Sequence, residues 1–131
     1  MDYIIDTSIL IEIDNDNEKI ISKIDEMADD SSDLFITYFG FCEYFYGHIK
    51  KNEKNKAKVI ERLGKYKFLD TSKDSAIIFC NMKRELKEKG SEIPVFDLLS
   101  SSIAVSNNMA MITADEHFNR IPGLRKIVLE P

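Results

Sequence analysis

Four acidic residues, well separated along the chain, are the side chains whose positions could support a reaction. Asp6 directly follows a short apolar, β-prone run, and Asp115 follows a second such run by two residues. Because function gathers at the carboxyl ends of parallel strands, we expect both to reach the same edge of a sheet. Asp97 falls in the first turn of a helix that opens near Pro94, where the helix dipole favours a carboxylate. Glu43 projects from a different helix.

The charge of these side chains decides which chemistry they could perform. Two carboxylates about 4 Å apart repel by roughly 4 kcal/mol at an effective dielectric of 20, so a converging group must take up protons or bind a cation. Oxygen ligands without His or Cys favour Mg²⁺ or Mn²⁺. Such an ion activates a bound water and orients it toward a phosphodiester, while one carboxylate helps to remove the proton.

Each of the four acids also has an ordinary structural role open to it. The chain contains 23 acidic residues. Asp6 alone would serve as a helix cap, Asp97 as a partner of the helix dipole, Asp115 as a turn former and Glu43 as a surface charge. Spacing along a sequence gives no distances, so the residues by themselves leave both interpretations open.

Strand-like runs alternate with helical spacing along the whole chain. Strands are expected at residues 3–5, 34–36, 66–69, 110–112 and 127–129. The helices between them include one with an apolar stripe through Tyr46, and a long one capped by Ser72 or Asp74 and ending at Gly90. Strands separated by helices imply right-handed crossovers and a largely parallel sheet covered on both faces. The sequence predicts an α/β fold, a three-layer αβα sandwich of about five strands, as a single domain over residues 1–131.

Length and composition agree with one packed core. The chain has 131 residues, and 44% of them are hydrophobic. No apolar run approaches the ~20 residues needed to cross a bilayer, so we expect a cytoplasmic protein that does not contact a membrane. Cys42 and Cys80 lie outside any CxxC or Cys/His cluster and are expected to be buried free thiols.

The charge of the chain is unevenly distributed. A net charge of −5 argues against a protein that simply coats nucleic acid. Eight Lys and Arg residues nevertheless lie between Lys50 and Lys67, and this basic stretch is either a contact for a phosphate backbone or a solvated helical face. A second group of bases lies near the end of the helix before Gly90, where the helix dipole favours cations.

Four segments of the chain resemble the motifs of the PIN-domain nucleases, particularly the compact prokaryotic VapC-type toxins. The segments are IIDTSIL at residues 4–10, CEYFYG at 42–47, GSEIPVFDLL at 90–99 and MITADEHF at 111–118. Any one of these motifs is weak by itself. Together they occur in the order of the family, at separations and within a length typical of it, and they span nearly the whole chain.

The resemblance implies a fold, an activity and a set of partners. It implies an αβα sandwich with a parallel sheet and a Mg²⁺- or Mn²⁺-dependent endoribonuclease that cleaves RNA. It also implies inhibition by a cognate antitoxin, whose C-terminal segment enters the active-site groove, and usually a homodimer. The active-site residues that it assigns are Asp6, Glu43, Asp97 and Asp115, together with Thr113, two positions before the last acid.

The chain departs from the family pattern at two places. Ser8 stands where many relatives have asparagine, and three serines at residues 100–102 stand where small apolar residues are common. Neither departure removes a carboxylate. They leave open how the helix after Asp97 packs and how strongly a metal binds.

Other functions remain open on the sequence alone. A PIN nuclease could act in RNA processing outside any toxin system, and a doubly wound fold could form a regulatory module without catalysis. A receiver-like module needs an acidic pair near the first strand, where this chain has only Asp2 and Asp6, and a haloacid dehalogenase-type phosphatase needs an aspartate where Ser8 stands. His48 and His117 lack a partnering motif and are expected to have surface or structural roles.

Overall fold

Five short strands form one sheet. In the computed structural model, which describes residues 1–28 and 32–131, they are β1 (Tyr3–Ile5), β2 (Leu34–Thr37), β3 (Lys67–Leu69), β4 (Ala110–Thr113) and β5 (Lys126–Val128). The strands lie in the order β3-β2-β1-β4-β5, and each neighbouring pair is parallel. β1 is therefore central, with Ile4 opposite Met111 of β4. This arrangement confirms the predicted parallel sheet.

Helices connect the strands and cover both faces of the sheet. Within the described residues they are α1 (Thr7–Asp14), α2 (Glu18–Met27), α3 (Tyr38–Ile49), α4 (Lys56–Leu63), α5 (Lys73–Glu88) and α6 (Val95–Ser106). Two short 3₁₀ helices occupy Glu53–Asn55 and Glu116–Arg120. The acidic segment that the sequence places after α2 begins with residues 29–31, which lie outside the described residues. The order of elements confirms the predicted αβα sandwich.

Alternation of side chains across the strands builds a hydrophobic core on each face. Ile4 and Met111 belong to the core formed with α5 and α6, whereas Ile5 and Ile112 belong to the core formed with α1, α2 and α4. All four side chains are at most 2% exposed. Burying each contributes about 1.5–3 kcal/mol. The strand ends are therefore held in place from both sides. The two thiols do not join these cores as the sequence predicted, since Cys42 is only half-buried and Cys80 is exposed.

Helix α3 departs from the predicted apolar stripe at one position. The pattern placed Tyr46 toward the core, but Tyr46 is 62% exposed and Tyr44 is only 4% exposed. The Tyr44 hydroxyl donates to Asp14 Oδ2 at 2.6 Å, and Arg62 Nη1 donates to the same hydroxyl at 3.3 Å. Burial, together with the hydrogen bond to Asp14, raises the pKa of Tyr44 to about 12. A paired hydroxyl lets this ring enter the core, so the prediction for Tyr46 was wrong.

Replacing Tyr44 by Phe should test how much this polar contact stabilises the fold. The ring stays in place, but Asp14 loses a hydrogen bond, so we expect the free energy of unfolding in urea to fall by about 1–3 kcal/mol. Tyr46→Phe is the matched control and should leave it unchanged, because the Tyr46 side chain is exposed. Equal effects of the two substitutions would show that the buried hydroxyl contributes nothing.

Candidate active site

The carboxyl edge of the sheet carries three of the candidate residues. Asp6 directly follows β1 and caps α1, Thr113 ends β4, and Asp115 caps the 3₁₀ helix Glu116–Arg120. β1 and β4 are neighbours, and the Asp6 N–H donates to the carbonyl of Ile112 at 2.9 Å. The structure thus places Asp6 and Asp115 at one edge of the sheet.

Two hydroxyl groups orient the carboxylate of Asp6. Ser8 Oγ donates to Asp6 Oδ2 at 2.6 Å, and Thr113 Oγ1 donates to the same oxygen at 2.8 Å. Each hydroxyl in turn accepts a backbone N–H, from Ala114 to Ser8 at 2.9 Å and from Asp115 to Thr113 at 3.0 Å. Because a hydroxyl has one proton, these contacts fix the direction of every bond. Within the described residues no hydrogen bond reaches Oδ1, so that oxygen is left available.

Ser8 is the site residue that sequence reasoning missed. It was noticed only as a departure from the family's asparagine, yet it links α1 to the chain just after β4 through Asp6 and Ala114. The available signal was its place two residues after an N-cap aspartate, where a short polar side chain can bond to that cap. Thr113 was predicted from the family resemblance, and the structure places it on the same oxygen.

The other two acids come from helices that pack against each other. Asp97 lies in the first turn of α6 and Glu43 lies on α3. These helices are joined by a buried hydrogen bond of 2.7 Å between Thr37 Oγ1 and Ser100 Oγ. The rings of Phe39 and Phe96, on the two helices, lie with their centroids 5.5 Å apart. The start of α6 is therefore held beside the first turns of α3.

The electrostatics of Asp97 show that the four acids share one neighbourhood. Burial is the largest influence, and the negative charges of Asp6, Glu43 and Asp115 add to it. Together they raise the pKa of Asp97 to about 7, against a smaller opposing effect of His117. Each of the other three carboxylates is thus close enough to act on Asp97.

The serines after Asp97 are fully accommodated in α6. Besides the contact of Ser100 with Thr37, Ser101 Oγ donates to the carbonyl of Asp97 at 2.8 Å and Ser102 Oγ donates to that of Leu99 at 2.6 Å. All three serines are at most 6% exposed. Their hydroxyls are paired, so burying them leaves no polar group unsatisfied. This departure from the family pattern therefore keeps the packing of the helix that carries Asp97.

The histidines both contact acids. His48 Nε2 lies 3.2 Å from Asp14 Oδ2, away from the candidate site. His117 follows Asp115 by two residues, and its Nδ1 contacts Asp115 Oδ1, which also accepts the His117 N–H at 2.9 Å. His117 is therefore a neighbour of one candidate acid, which its sequence position alone did not indicate.

The donor atoms at this edge suit a hard divalent cation, although they are not already arranged around one. Among the described residues no three acidic, His or Cys side chains are grouped so as to hold a metal ion. The available donors are carboxylate oxygens, the kind that Mg²⁺ and Mn²⁺ prefer. A cation here would relieve the repulsion that contributes to the high pKa of Asp97. Coordination would require these side chains to move closer together.

Comparison with known proteins identifies relatives that agree with one another. The PIN domain family profile matches residues 3–124. Ribonuclease VapC2 of Rickettsia felis is 28% identical over 127 residues, which cover 95% of this chain and 95% of that protein.

No helix among the described residues has the length and apolar character needed to cross a membrane.

Solved structures resemble the chain over almost its full length. VapBC2 from Rickettsia felis, bound to a DNA fragment from its promoter, has a TM-score of 0.88 and 26% identity, covering 99% of this chain and 100% of that one. DNA-bound VapBC from Salmonella typhimurium has a TM-score of 0.84 and 26% identity, covering 98% of each chain. VapBC-1 from nontypeable Haemophilus influenzae has a TM-score of 0.88, with 98% coverage of each chain, and at 22% identity supports the fold alone.

Replacing Ser8 by Ala should reveal how strongly the hydroxyl pair is needed. The substitution removes a donor to Asp6 and leaves the Ala114 N–H without its acceptor, so we expect a loss of about 1–3 kcal/mol in the free energy of unfolding. Ser106→Ala is the control, because Ser106 Oγ donates only to a helix carbonyl, that of Ile103. A loss no larger than that of the control would mean that Ser8 does not anchor the edge.

Replacing Asp97 by Asn should stabilise the protein when divalent ions are removed by EDTA. The pKa of Asp97 is about 7 in the folded chain and has an ordinary value of 3.8. The wild type therefore loses stability as pH rises from about 4 to about 7, and the variant does not. Urea unfolding should show a gain for Asp97→Asn that is largest at pH 8 and absent near pH 4.

The exposed Glu85 of α5 offers a control for this pH dependence. Glu85→Gln removes an exposed carboxylate that is not among the charges acting on Asp97, so it should change stability equally at both pH values. A gain for Asp97→Asn that is the same at pH 4 and pH 8 would contradict the raised pKa that burial and the neighbouring acids give Asp97.

Proposed function

The chain belongs to the PIN domain family, and from this premise we propose that it is a metal-dependent endoribonuclease, the toxin of a toxin–antitoxin pair. The observation that carries the proposal is the grouping of Asp6, Glu43, Asp97 and Asp115, expressed in the raised pKa of Asp97. The likeness to Ribonuclease VapC2 over 95% of the chain supports RNA as the substrate.

The residues that would hold Mg²⁺ or Mn²⁺ are the four carboxylates. When bound, such an ion supplies a more acidic water and stabilises negative charge on the phosphate oxygens. Ser8 and Thr113 donate to Oδ2 of Asp6 and so leave its Oδ1 available for a cation. Asp97 belongs to the first turn of α6, and its carbonyl accepts a hydrogen bond from Ser101 Oγ.

The reaction would be hydrolysis of a phosphodiester. The water oxygen forms a bond to phosphorus, the bond from phosphorus to the leaving ribose oxygen breaks, and that oxygen takes up a proton. Glu43 is exposed, and within the described residues it makes no hydrogen bond that would hold it in place. It is the carboxylate best able to turn toward the attacking water and accept its proton.

The partners follow from the same relatives. The similar solved structures are VapBC assemblies, two of them on DNA, and a further one is described as a member of the VapBC family of toxin–antitoxin systems. We assign to this chain a cognate antitoxin as protein partner, RNA as substrate and a homodimer as its assembly. Its place of action would be the cytoplasm.

Cleavage of a pool of cellular RNA tests the activity directly. The wild type, freed of its antitoxin, should cut RNA in Mg²⁺ or Mn²⁺ and stop in EDTA. Asp6→Asn and Asp97→Asn should lower the rate by at least about a hundredfold, since each removes a charge from the site. Asp74→Asn, which changes an exposed acid of α5, is the matched control and should keep full activity.

Two results would overturn this proposal. One is equal cleavage by the wild type and Asp6→Asn, which would assign the activity to a contaminant or to another site. The other is no cleavage by the folded wild type with either metal. Glu43→Gln separates the role of the fourth acid, because unchanged cleavage by this variant alone would remove Glu43 from the site.

A further inference from the structure

A cleft bordered by positive charge lies between α5, the start of α6 and the 3₁₀ helix Glu116–Arg120. Its volume is about 730 Å³, and its charged lining consists of Lys83, Lys87 and Arg120 with a single acid, Glu92. Lys83 and Lys87 are one turn apart on α5 and so lie on the same face of that helix. Cations thus outnumber acids by three to one in this lining.

The end of α5 gives the cleft a defined shape. Gly90 has a φ of 67°, and its N–H donates to the carbonyl of Lys87 at 3.0 Å, while the Ser91 N–H donates to that of Leu86 at 2.9 Å. These bonds form a Schellman motif, which needs a left-handed residue and so favours glycine. Arg120 Nη1 donates to Ser91 Oγ at 3.1 Å across the cleft. The loop after α5, which forms this wall, is therefore held by hydrogen bonds to α5 on one side and to Arg120 on the other.

Two elements that line the cleft also carry or adjoin acids of the carboxylate site, although the four acids themselves do not line it. Leu98, which lines it, directly follows Asp97 in the first turn of α6. Arg120 ends the 3₁₀ helix that Asp115 caps, and a rise of about 2.0 Å per residue puts it about 10 Å further along. A chain that enters the carboxylate site therefore passes close to these cations.

The charges of the cleft are available to a ligand, in contrast to several in the basic stretch between Lys50 and Lys67. Within the described residues, Lys83, Lys87 and Arg120 form no ion pair, whereas Arg62 is paired with Asp14 and Lys67 with Asp33.

The basic stretch also lies further from the carboxylate site than the cleft does. The α3 helix runs away from the carboxyl edge for twelve residues, or about 18 Å, before Lys50. The cleft therefore has the cations that are nearer to the site and that, within the described residues, form no ion pair.

We propose that this cleft binds a backbone phosphate of the RNA strand beside the phosphate that is cleaved. The inference rests on the proposed function. Four carboxylates at the site repel a polyanionic strand, and a chain with a net charge of −5 offers no general attraction for it. Lys83, Lys87 and Arg120 offset that repulsion locally, and the guanidinium of Arg120 matches the geometry of a phosphate.

Salt-dependent binding tests the proposal in the inactive Asp6→Asn protein. The probe is a fluorescein-labelled single-stranded RNA of twelve nucleotides, measured by anisotropy between 50 and 200 mM KCl without divalent ions. Lys83→Gln/Lys87→Gln and Arg120→Gln should each weaken binding and lower the slope of log K against log salt by about 0.7 for each phosphate that is no longer neutralised. Lys50→Gln/Lys51→Gln removes two charges elsewhere and should leave the slope unchanged.

Kinetics of the active protein give a second measurement. Lys83→Gln/Lys87→Gln should raise KM for the same RNA several-fold and leave kcat within twofold, because these residues position the strand and do not touch the reacting atoms. The side chains are exposed, so the substitutions leave the core intact. A fall in kcat with unchanged KM would contradict a positioning role.

The outcomes separate this proposal from the proposed function. Cleavage by the wild type with an unchanged salt slope in both cleft variants overturns the phosphate site and keeps the nuclease. A lowered slope in a protein that cleaves no RNA keeps the phosphate site and overturns the nuclease. If the cleft variants lose affinity only for a labelled peptide of ten glutamates, the cleft serves an acidic protein partner and the RNA assignment is wrong.

Discussion

Repulsion among carboxylates at the carboxyl edge of the sheet is the constraint on which the rest of this structure depends. Burial and the charges of three nearby acids together raise the pKa of Asp97 to about 7, and such repulsion would push apart a loosely built edge. Two buried cores instead clamp the central strands, and α6 is held to α3 by the buried contact of Thr37 with Ser100. The free energy gained by burying apolar side chains thus offsets the repulsion among the carboxylates at this edge.

Local hydrogen bonds complete this arrangement. Ser8 and Thr113 each donate to one oxygen of Asp6 and each accept a backbone N–H from the segment after β4. The carboxylate is therefore held as an acceptor in one orientation, and its second oxygen stays available. For the proposed function, which involves a cation and a phosphate, a carboxylate already fixed in orientation reduces the ordering that must accompany binding.

The carboxylates of the site also repel an anionic substrate. In our proposal the cations of the neighbouring cleft offset that repulsion. Lys83 and Lys87 appeared in the sequence as bases near a helix end, an interpretation that the dipole alone explains. The Schellman turn at Gly90 and the hydrogen bond from Arg120 to Ser91 place these bases in a cleft beside α6, which carries Asp97, and beside the 3₁₀ helix that Asp115 caps. The two proposals thus place RNA binding and metal binding on adjoining surfaces of opposite charge.

The sequence by itself determined the order of strands and helices, since apolar spacing and caps such as Ser72 are local signals. It also indicated the edge for Asp6 and Asp115, because both follow strands, whereas Glu43 and Asp97 entered through the family resemblance. Only the tertiary structure decided that Ser8 joins Asp6 to the N–H of Ala114 after β4, that Tyr44 is buried in place of Tyr46, and that the bases of α5 line a cleft. Each of these depends on a partner distant in sequence, and local periodicity contains no information about which distant side chains will meet.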